Sequence, residues 1–148
     1  MSVPLKVRAS AQPFYWILDA DISYAKPMKA LSVRQPWAQL IAEGIKTIEI
    51  RSRPWKYRGP LVICATAKPV FLDDDGVPLP CGCAVCVVDM VDCRPLTMDD
   101  ADAAYMDFED GACDGQWAWV LANARMVEPV PVKGQLQPWD WNGPQLRI

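Results

Sequence analysis

Between Thr47 and Arg51 apolar and polar positions alternate strictly, with Ile48 and Ile50 on one side and Thr47, Glu49 and Arg51 on the other. A period of two is that of a strand covered on one face, so the pattern predicts a half-buried strand. If the isoleucines face the core, Glu49 and Arg51 project together from the opposite face, with Lys46 at the turn leading in. Upstream, Lys29 to Val33 is a short apolar run that predicts another strand, and Pro36 suits the first turn of a helix. In that helix Trp37, Leu40 and Ile41 fall at i, i+3 and i+4 as one apolar face, and Gly44 is placed to end it in a left-handed cap.

Further along, Arg58-Gly59-Pro60 reads as a turn, Leu61 to Ala67 as a buried strand, and Asp73-Asp74-Asp75-Gly76 as an exposed loop. Cys83 to Cys93 predicts a long strand, and Thr97 caps an acidic helix running through Tyr105. Gln116 to Ala122 predicts a strand that is apolar on both faces. Strands outnumber helices, and the 14 prolines disfavour a helical bundle. The expected fold class is α+β, a small β-barrel with short flanking helices. Residues 1–27 show no clear period and read as an N-terminal extension, whose Phe14-Tyr15-Trp16-Ile17-Leu18 run suggests docking on a domain over residues 28–148.

Composition narrows the class. A chain of 148 residues that is 51 % hydrophobic is of the size and content for one domain with its own core. No apolar run approaches the roughly 20 residues that cross a bilayer, and the first residues lack a signal-peptide pattern, so a cytoplasmic location without membrane contact is expected. There the six cysteines should be reduced rather than paired. Histidine is absent, which removes the commonest general base and neutral metal ligand. The Cys81, Cys83, Cys86 and Cys93 set invites a metal, but on a strand Cys86 points away from Cys83 and Cys93. The aspartates at 73–75 lack the spacing of a calcium loop. Neither a metal nor a cofactor is expected.

The net charge of −3 conceals a strong polarity along the chain. Lys29 to Lys68 carries eight basic residues against Glu43 and Glu49, whereas Pro69 to Glu128 carries thirteen acids against Arg94 and Arg125. Exposed charges farther apart than about 10 Å are largely screened from one another, so a basic surface patch keeps a local positive field. Arg34, Arg51, Arg53, Lys56 and Arg58 are candidates for phosphate contacts, because guanidinium and ammonium groups neutralise backbone charge. Trp55 is the candidate stacking plane for a base, with Trp37 assigned to the core. Gln35, Lys46 and Glu49 complete the candidate nucleic-acid-binding set, with Glu49 accepting from a base amino group or orienting Arg51. The same charges also fit a plain solvated face, and Lys46 with Glu49 fits either a catalytic acid/base pair or a structural ion pair.

The run Ala30-Leu31-Ser32-Val33-Arg34-Gln35-Pro36-Trp37-Ala38, followed by Gly44-Ile45-Lys46-Thr47-Ile48-Glu49-Ile50-Arg51-Ser52, resembles the signature of the ASCH family of PUA-like barrels. Tyr57 to Pro60, Val91 to Cys93, Trp117 to Leu121 and Pro131 to Gly134 extend the resemblance over roughly residues 29 to 141. It implies a barrel with a cleft between the first helix and neighbouring strands that binds RNA, other single-stranded nucleic acid or a modified nucleoside. Lys46, Glu49 and Arg51 match the family's cleft motif. Small bacterial relatives hydrolyse acetylated cytidine with a lysine and a threonine three positions later, and here Glu49 occupies that threonine's position. The leading expectation is therefore binding. An amidohydrolase- or ribonuclease-like activity using Lys46 and Glu49, and a protein-interaction role for the acidic half, are the alternatives.

Overall fold

The computed structural model describes residues 28–148. The extension and its aromatic run lie outside the described residues. The elements are β1 (Lys29–Val33), α1 (Trp37–Ala42), β2 (Ile48–Arg51), β3 (Gly59–Ala65), β4 (Cys83–Pro95), a 3-10 turn (Met98–Asp100) running into α2 (Ala101–Ala104), β5 (Trp117–Pro131) and β6 (Trp139–Asp140). They form one six-stranded sheet in the order β2-β5-β4-β3-β1-β6, curled into a half-barrel with two short helices, which is the expected α+β class. β1 and β3 are parallel and every other pairing is antiparallel.

The curl has local causes. Along β4 and β5 the register shifts between Ala84 and Cys86, between Val87 and Asp89, and between Met90 and Asp92. Each extra residue bends the strand and adds twist, which turns a flat ribbon into a trough. Asn123 sits in one of these irregularities with a left-handed φ of 56°, a conformation that asparagine tolerates better than most residues. That bend lets β5 continue against β4 to Pro131, well past the Ala122 limit that its apolar run predicts.

The principal core lies between the inner face of the sheet and α1 and includes Leu31, Ile41, Leu61, Ile63, Val88, Met90, Trp119 and Leu121. Burying each large aliphatic side chain contributes about 2 kcal/mol. α1 buries Ala38, Ile41 and Ala42, so its covered face is turned about one residue from the expected Trp37, Leu40 and Ile41. Small alanines let the short helix lie close to the sheet, and the bulky Trp37 is left half-buried on its flank. Gly44 ends this segment with a φ of +77°, as expected.

The acidic segment after β4 is shorter and tighter than the helix expected over Thr97–Tyr105. Thr97 and Asp100 form a reciprocal capping box, and Tyr105 stops α2 in a left-handed conformation with φ 56°. Asp100 also accepts two hydrogen bonds from Arg94, each 2.8 Å long. These bonds, above all other influences, hold its carboxyl at about 2. Under this segment a satellite cluster joins Ile48, Leu96, Ala104 and Ala118.

Candidate functional site

The strand order separates β1 from β2 by three strands, yet the curl brings them face to face. β6 pairs only with Lys29 and Ala30, so from Leu31 onward the outer edge of β1 is open. Across that seam Arg51 donates from Nη2 to the Ser32 carbonyl at 2.9 Å. The same guanidinium donates from Nη2 and Nε to Glu49 Oε2, at 2.8 and 3.1 Å. It also stands 5.8 Å from the centre of the Trp119 ring. A forked donor holds the carboxylate and the facing strand at once, which a lysine in its place could not do.

The alternation read from the sequence is present, and Glu49 and Arg51 do share a face. That face is the one opposite Trp119 and Trp117 on β5, whereas Ile48 and Ile50 lie opposite Val120 and Ala118. The isoleucines thus cover the satellite cluster under α2, and the charged pair looks into the trough beside the main core. In a curled sheet both faces are covered in part, so a two-residue period separates the faces without saying which is inside.

Over the seam lies a cleft of about 810 Å³, walled by the end of β1 (Ser32 to Arg34), Trp37, Glu49, Arg51, the residues after β3 (Thr66, Ala67) and the segment 132–136. Its charged lining is Arg34, Glu49, Arg51 and Lys133. Arg34 and Lys133 are exposed, and among the described residues neither has an ion-pair partner. Glu49 is buried, its side chain 11 % exposed. Among the described residues the buried Ser32 hydroxyl has no hydrogen-bond partner, and Gly134 passes so close that a Cβ there would lie 2.5 Å from it.

The remaining sequence candidates fall elsewhere. Lys46 is buried at the back of the site, where its ammonium donates to the Ala104 carbonyl at 2.6 Å and stands 3.7 Å from Glu49 Oε1. Burial is the chief influence on this amine and lowers its pKa, with Glu49 acting against it. Lys46 therefore touches the far side of Glu49 without lining the cleft. Gln35 is wholly buried with both ends of its amide engaged, donating to the Pro80 carbonyl at 2.7 Å and accepting from the Gln39 N–H at 2.9 Å. It satisfies an orphan donor in the first turn of α1 and is not presented to a ligand.

Both tryptophans pack against the core, as expected for Trp37 but not for Trp55, and of the two it is Trp37 that also lines the cleft. Trp55 packs against the core, with its ring centroid 4.9 Å from that of Tyr57 and 5.0 Å from that of Trp119. Trp37, displaced to the flank of α1, lines the cleft. Arg53, Lys56 and Arg58 are exposed on the connection between β2 and β3, outside the lining. Arg58 is engaged with the Trp55 and Tyr57 carbonyls and stands 3.7 Å from Asp92. The basic run is thus spread over two places rather than gathered on one wall. Sequence reasoning gave no site role to Ser32, Thr66, Lys133 or Gln135; the Pro131-Val132-Lys133-Gly134 run within the family resemblance was the available signal for the third.

Of the cysteines, Cys64, Cys83 and Cys86 are buried, and desolvation raises all three thiols, those of Cys64 and Cys86 to about 12. Among the described residues no three cysteines or carboxylates converge as a metal site would require, and no helix is long and apolar enough to cross a membrane.

The family model of the ASCH domain matches residues 31–131 of the chain. Activating signal cointegrator 1 from Homo sapiens is 32 % identical over 74 % of this chain, and its counterpart from Mus musculus is 30 % identical over the same share. The chain spans about a fifth of the length of these curated relatives, 21 % in each case. Among solved structures, ASCH from Zymomonas mobilis superposes with a TM-score of 0.58 at 15 % identity, over 78 % of this chain and 89 % of that one. A mutant of the same protein gives 0.56 at 14 %, over 79 % and 92 %.

Proposed function

Because the chain belongs to the ASCH domain family, we propose that its seam cleft binds an unpaired nucleotide of single-stranded nucleic acid, RNA in the first instance. The carrying observation is the Glu49–Arg51 pair held across the seam, with Trp37 on one wall and the unpaired cations Arg34 and Lys133 among the lining. Glu49 and Arg51 both line the cleft, so the pair sets an ionised acceptor and a guanidinium in its wall for a base to meet. The indole offers an aromatic plane for stacking. The two cations neutralise neighbouring phosphates. A cleft of about 810 Å³ has room for a nucleotide.

Binding is favoured over turnover by the place of Lys46. Its ammonium is tied to the Ala104 carbonyl and does not line the cleft, which suits holding Glu49 better than transferring a proton to a ligand. The test is fluorescence anisotropy with a labelled RNA octamer over a range of salt. Affinity should fall steeply with salt, and Arg34→Ala with Lys133→Ala should flatten the log–log slope by about 1.4, some 0.7 per lost contact. Trp37→Ala should weaken binding by about 1–3 kcal/mol. Affinity that ignores all three changes, or none at low salt, would overturn the proposal. Cleavage of RNA or of acetylated cytidine, lost in Lys46→Met, would turn the reading to hydrolysis.

A further inference from the structure

One wall of the cleft is held only at its ends. Residues 132–136 line it. Upstream the anchor is Val132, whose N–H donates to the Gly82 carbonyl at 2.9 Å and whose side chain packs on the buried cluster of Ala30, Val62 and Val127. Downstream it is Trp139, buried and paired with Ala30. Between these anchors, residues 133–137 make no hydrogen bond or ion pair among the described residues, and Leu136 is 89 % exposed. What they rest on is Ser32: a Cβ on Gly134 would lie 2.5 Å from its Oγ, so only a glycine lets the chain pass this close. Ser32 cannot give way, because β1 pairs it with Cys64 and Arg51 bonds its carbonyl. Any opening of the contact is therefore a movement of residues 133–137.

We infer that residues 133–137 are a strap that exchanges between a position seated on Ser32 and a lifted one, and that the Ser32 hydroxyl sets this balance and through it the affinity of the cleft. The inference rests on the nucleic-acid reading above for its ligand, and deepens it. A stretch with no bonds of its own lies at the low-stability end of a fold. Seating it buries a hydroxyl that has no partner among the described residues. Lifting it returns that hydroxyl to water, which offsets the packing lost. Only the seated strap holds Lys133, one of the two unpaired cations, in the cleft wall. A ligand that needs both cations binds the seated fraction alone, and its apparent affinity falls by that fraction. Ser32 is thus a positioning residue, acting through the strap rather than by touching the ligand.

The Ser32 Cβ and a Cβ on Gly134 would stand 3.6 Å apart, within the span of about 3.5–4.5 Å that a disulfide bridges. Ser32→Cys with Gly134→Cys therefore gives one chain whose strap is pinned when oxidised and crowded off its seat when reduced. The oxidised form should bind the labelled RNA octamer at least about threefold tighter than the unaltered chain, and the reduced form more weakly than it. Each single cysteine variant controls for the six native thiols. Ser32→Ala should tighten binding in the same direction as the oxidised pair. Without any ligand, trypsin should cut after Lys133 at a rate that follows the lifted fraction, about tenfold slower in the oxidised double variant and slower also in Ser32→Ala. An oxidised pair that binds no tighter, or cutting after Lys133 that neither change slows, overturns the inference. Should the double variant fail to fold or to oxidise, Ser32→Ala decides alone by the same two readouts. No octamer binding by any form, with the trypsin results as expected, removes the nucleic-acid reading and the affinity role and leaves the strap standing.

Discussion

Arg51→Met tests whether the charged pair is the clasp of the half-barrel. The substitution removes the 2.9 Å bond to the Ser32 carbonyl on β1 and both bonds to Glu49. Glu49, 9 % exposed, then keeps only Lys46 at 3.7 Å. Removing one partner of a buried ion pair destabilises by about 3–5 kcal/mol. The Arg51 side chain is 27 % exposed, and Lys46 still faces the carboxylate, so about 2–3 kcal/mol is the expected loss here. Glu49→Met alone leaves the guanidinium with the Ser32 carbonyl and the buried Lys46 ammonium with the Ala104 carbonyl, and should lose about 1–2 kcal/mol. The double variant strands neither charge of the pair but, as Glu49→Met alone does, leaves the buried Lys46 ammonium with the Ala104 carbonyl and no counter-charge. It should lose about 1–2 kcal/mol, no more than that single variant. Urea denaturation of the four proteins at neutral pH measures the cycle. The expected coupling is about 2 kcal/mol or more, with unchanged slopes on denaturant. Single losses that simply add, to within about 0.5 kcal/mol, would mean that the two groups act independently and that the seam is not held by their pairing.

Two further outcomes follow from the same geometry. Asp100 has its carboxyl lowered from 3.8 to about 2 by Arg94 and the capping bonds, so its contribution is present above the unfolded value and fades as pH falls through the folded one. Asp100→Asn should destabilise by about 1–2 kcal/mol at pH 7, discounted because Arg94 is half in solvent, and the difference should vanish near pH 2; a constant difference from pH 7 down to 2.5 in urea titrations would contradict this. Gly134→Ala would set a Cβ 2.5 Å from the Ser32 hydroxyl, and should lower both stability and octamer affinity. Adding Ser32→Ala should restore stability, since the next contact is 3.6 Å away, and Ser32→Ala alone should be neutral or stabilising because it removes a partnerless buried hydroxyl. A Gly134→Ala loss that Ser32→Ala does not relieve would place its cause elsewhere.

Much of the scaffold was legible because its signals are local. The Lys29–Val33 strand matches its apolar run residue for residue, the 48–51 alternation gives β2, and Asp73 organises its turn by accepting from the Asp75 and Val77 N–H groups. What escaped depends on partners distant in the chain. Trp37 meets the cleft because the buried face of α1 is Ala38, Ile41 and Ala42, and Trp55 is turned inward by Tyr57 and Trp119; neither contact has a periodicity to betray it. The basic run looked like one surface, but Lys29 is paired with Asp140 at 2.6 Å and Arg58 stands by Asp92. Lys133 enters the cleft from a segment 82 residues downstream of Arg51 (133 less 51), although its own neighbourhood carries no charge signal.

The site follows from an unfinished sheet. Were β1 and β2 near enough to pair, backbone groups would satisfy one another along the seam and no opening would remain. Because they are not, the Ser32 carbonyl needs a donor that reaches across, and Arg51 supplies it while Glu49 holds the guanidinium in place. Some lining residues therefore also close the fold, and others do not. Arg51 and Glu49 belong to the first group, so their loss must lower stability and recognition together. Arg34 and Lys133 belong to the second, with exposed charges that the core does not require, while Trp37 both lines the cleft and packs against the core. Variants at Arg34 and Lys133 should change affinity with stability kept to within about 0.5 kcal/mol, and that separation is what distinguishes a ligand cleft from a gap left by imperfect closure.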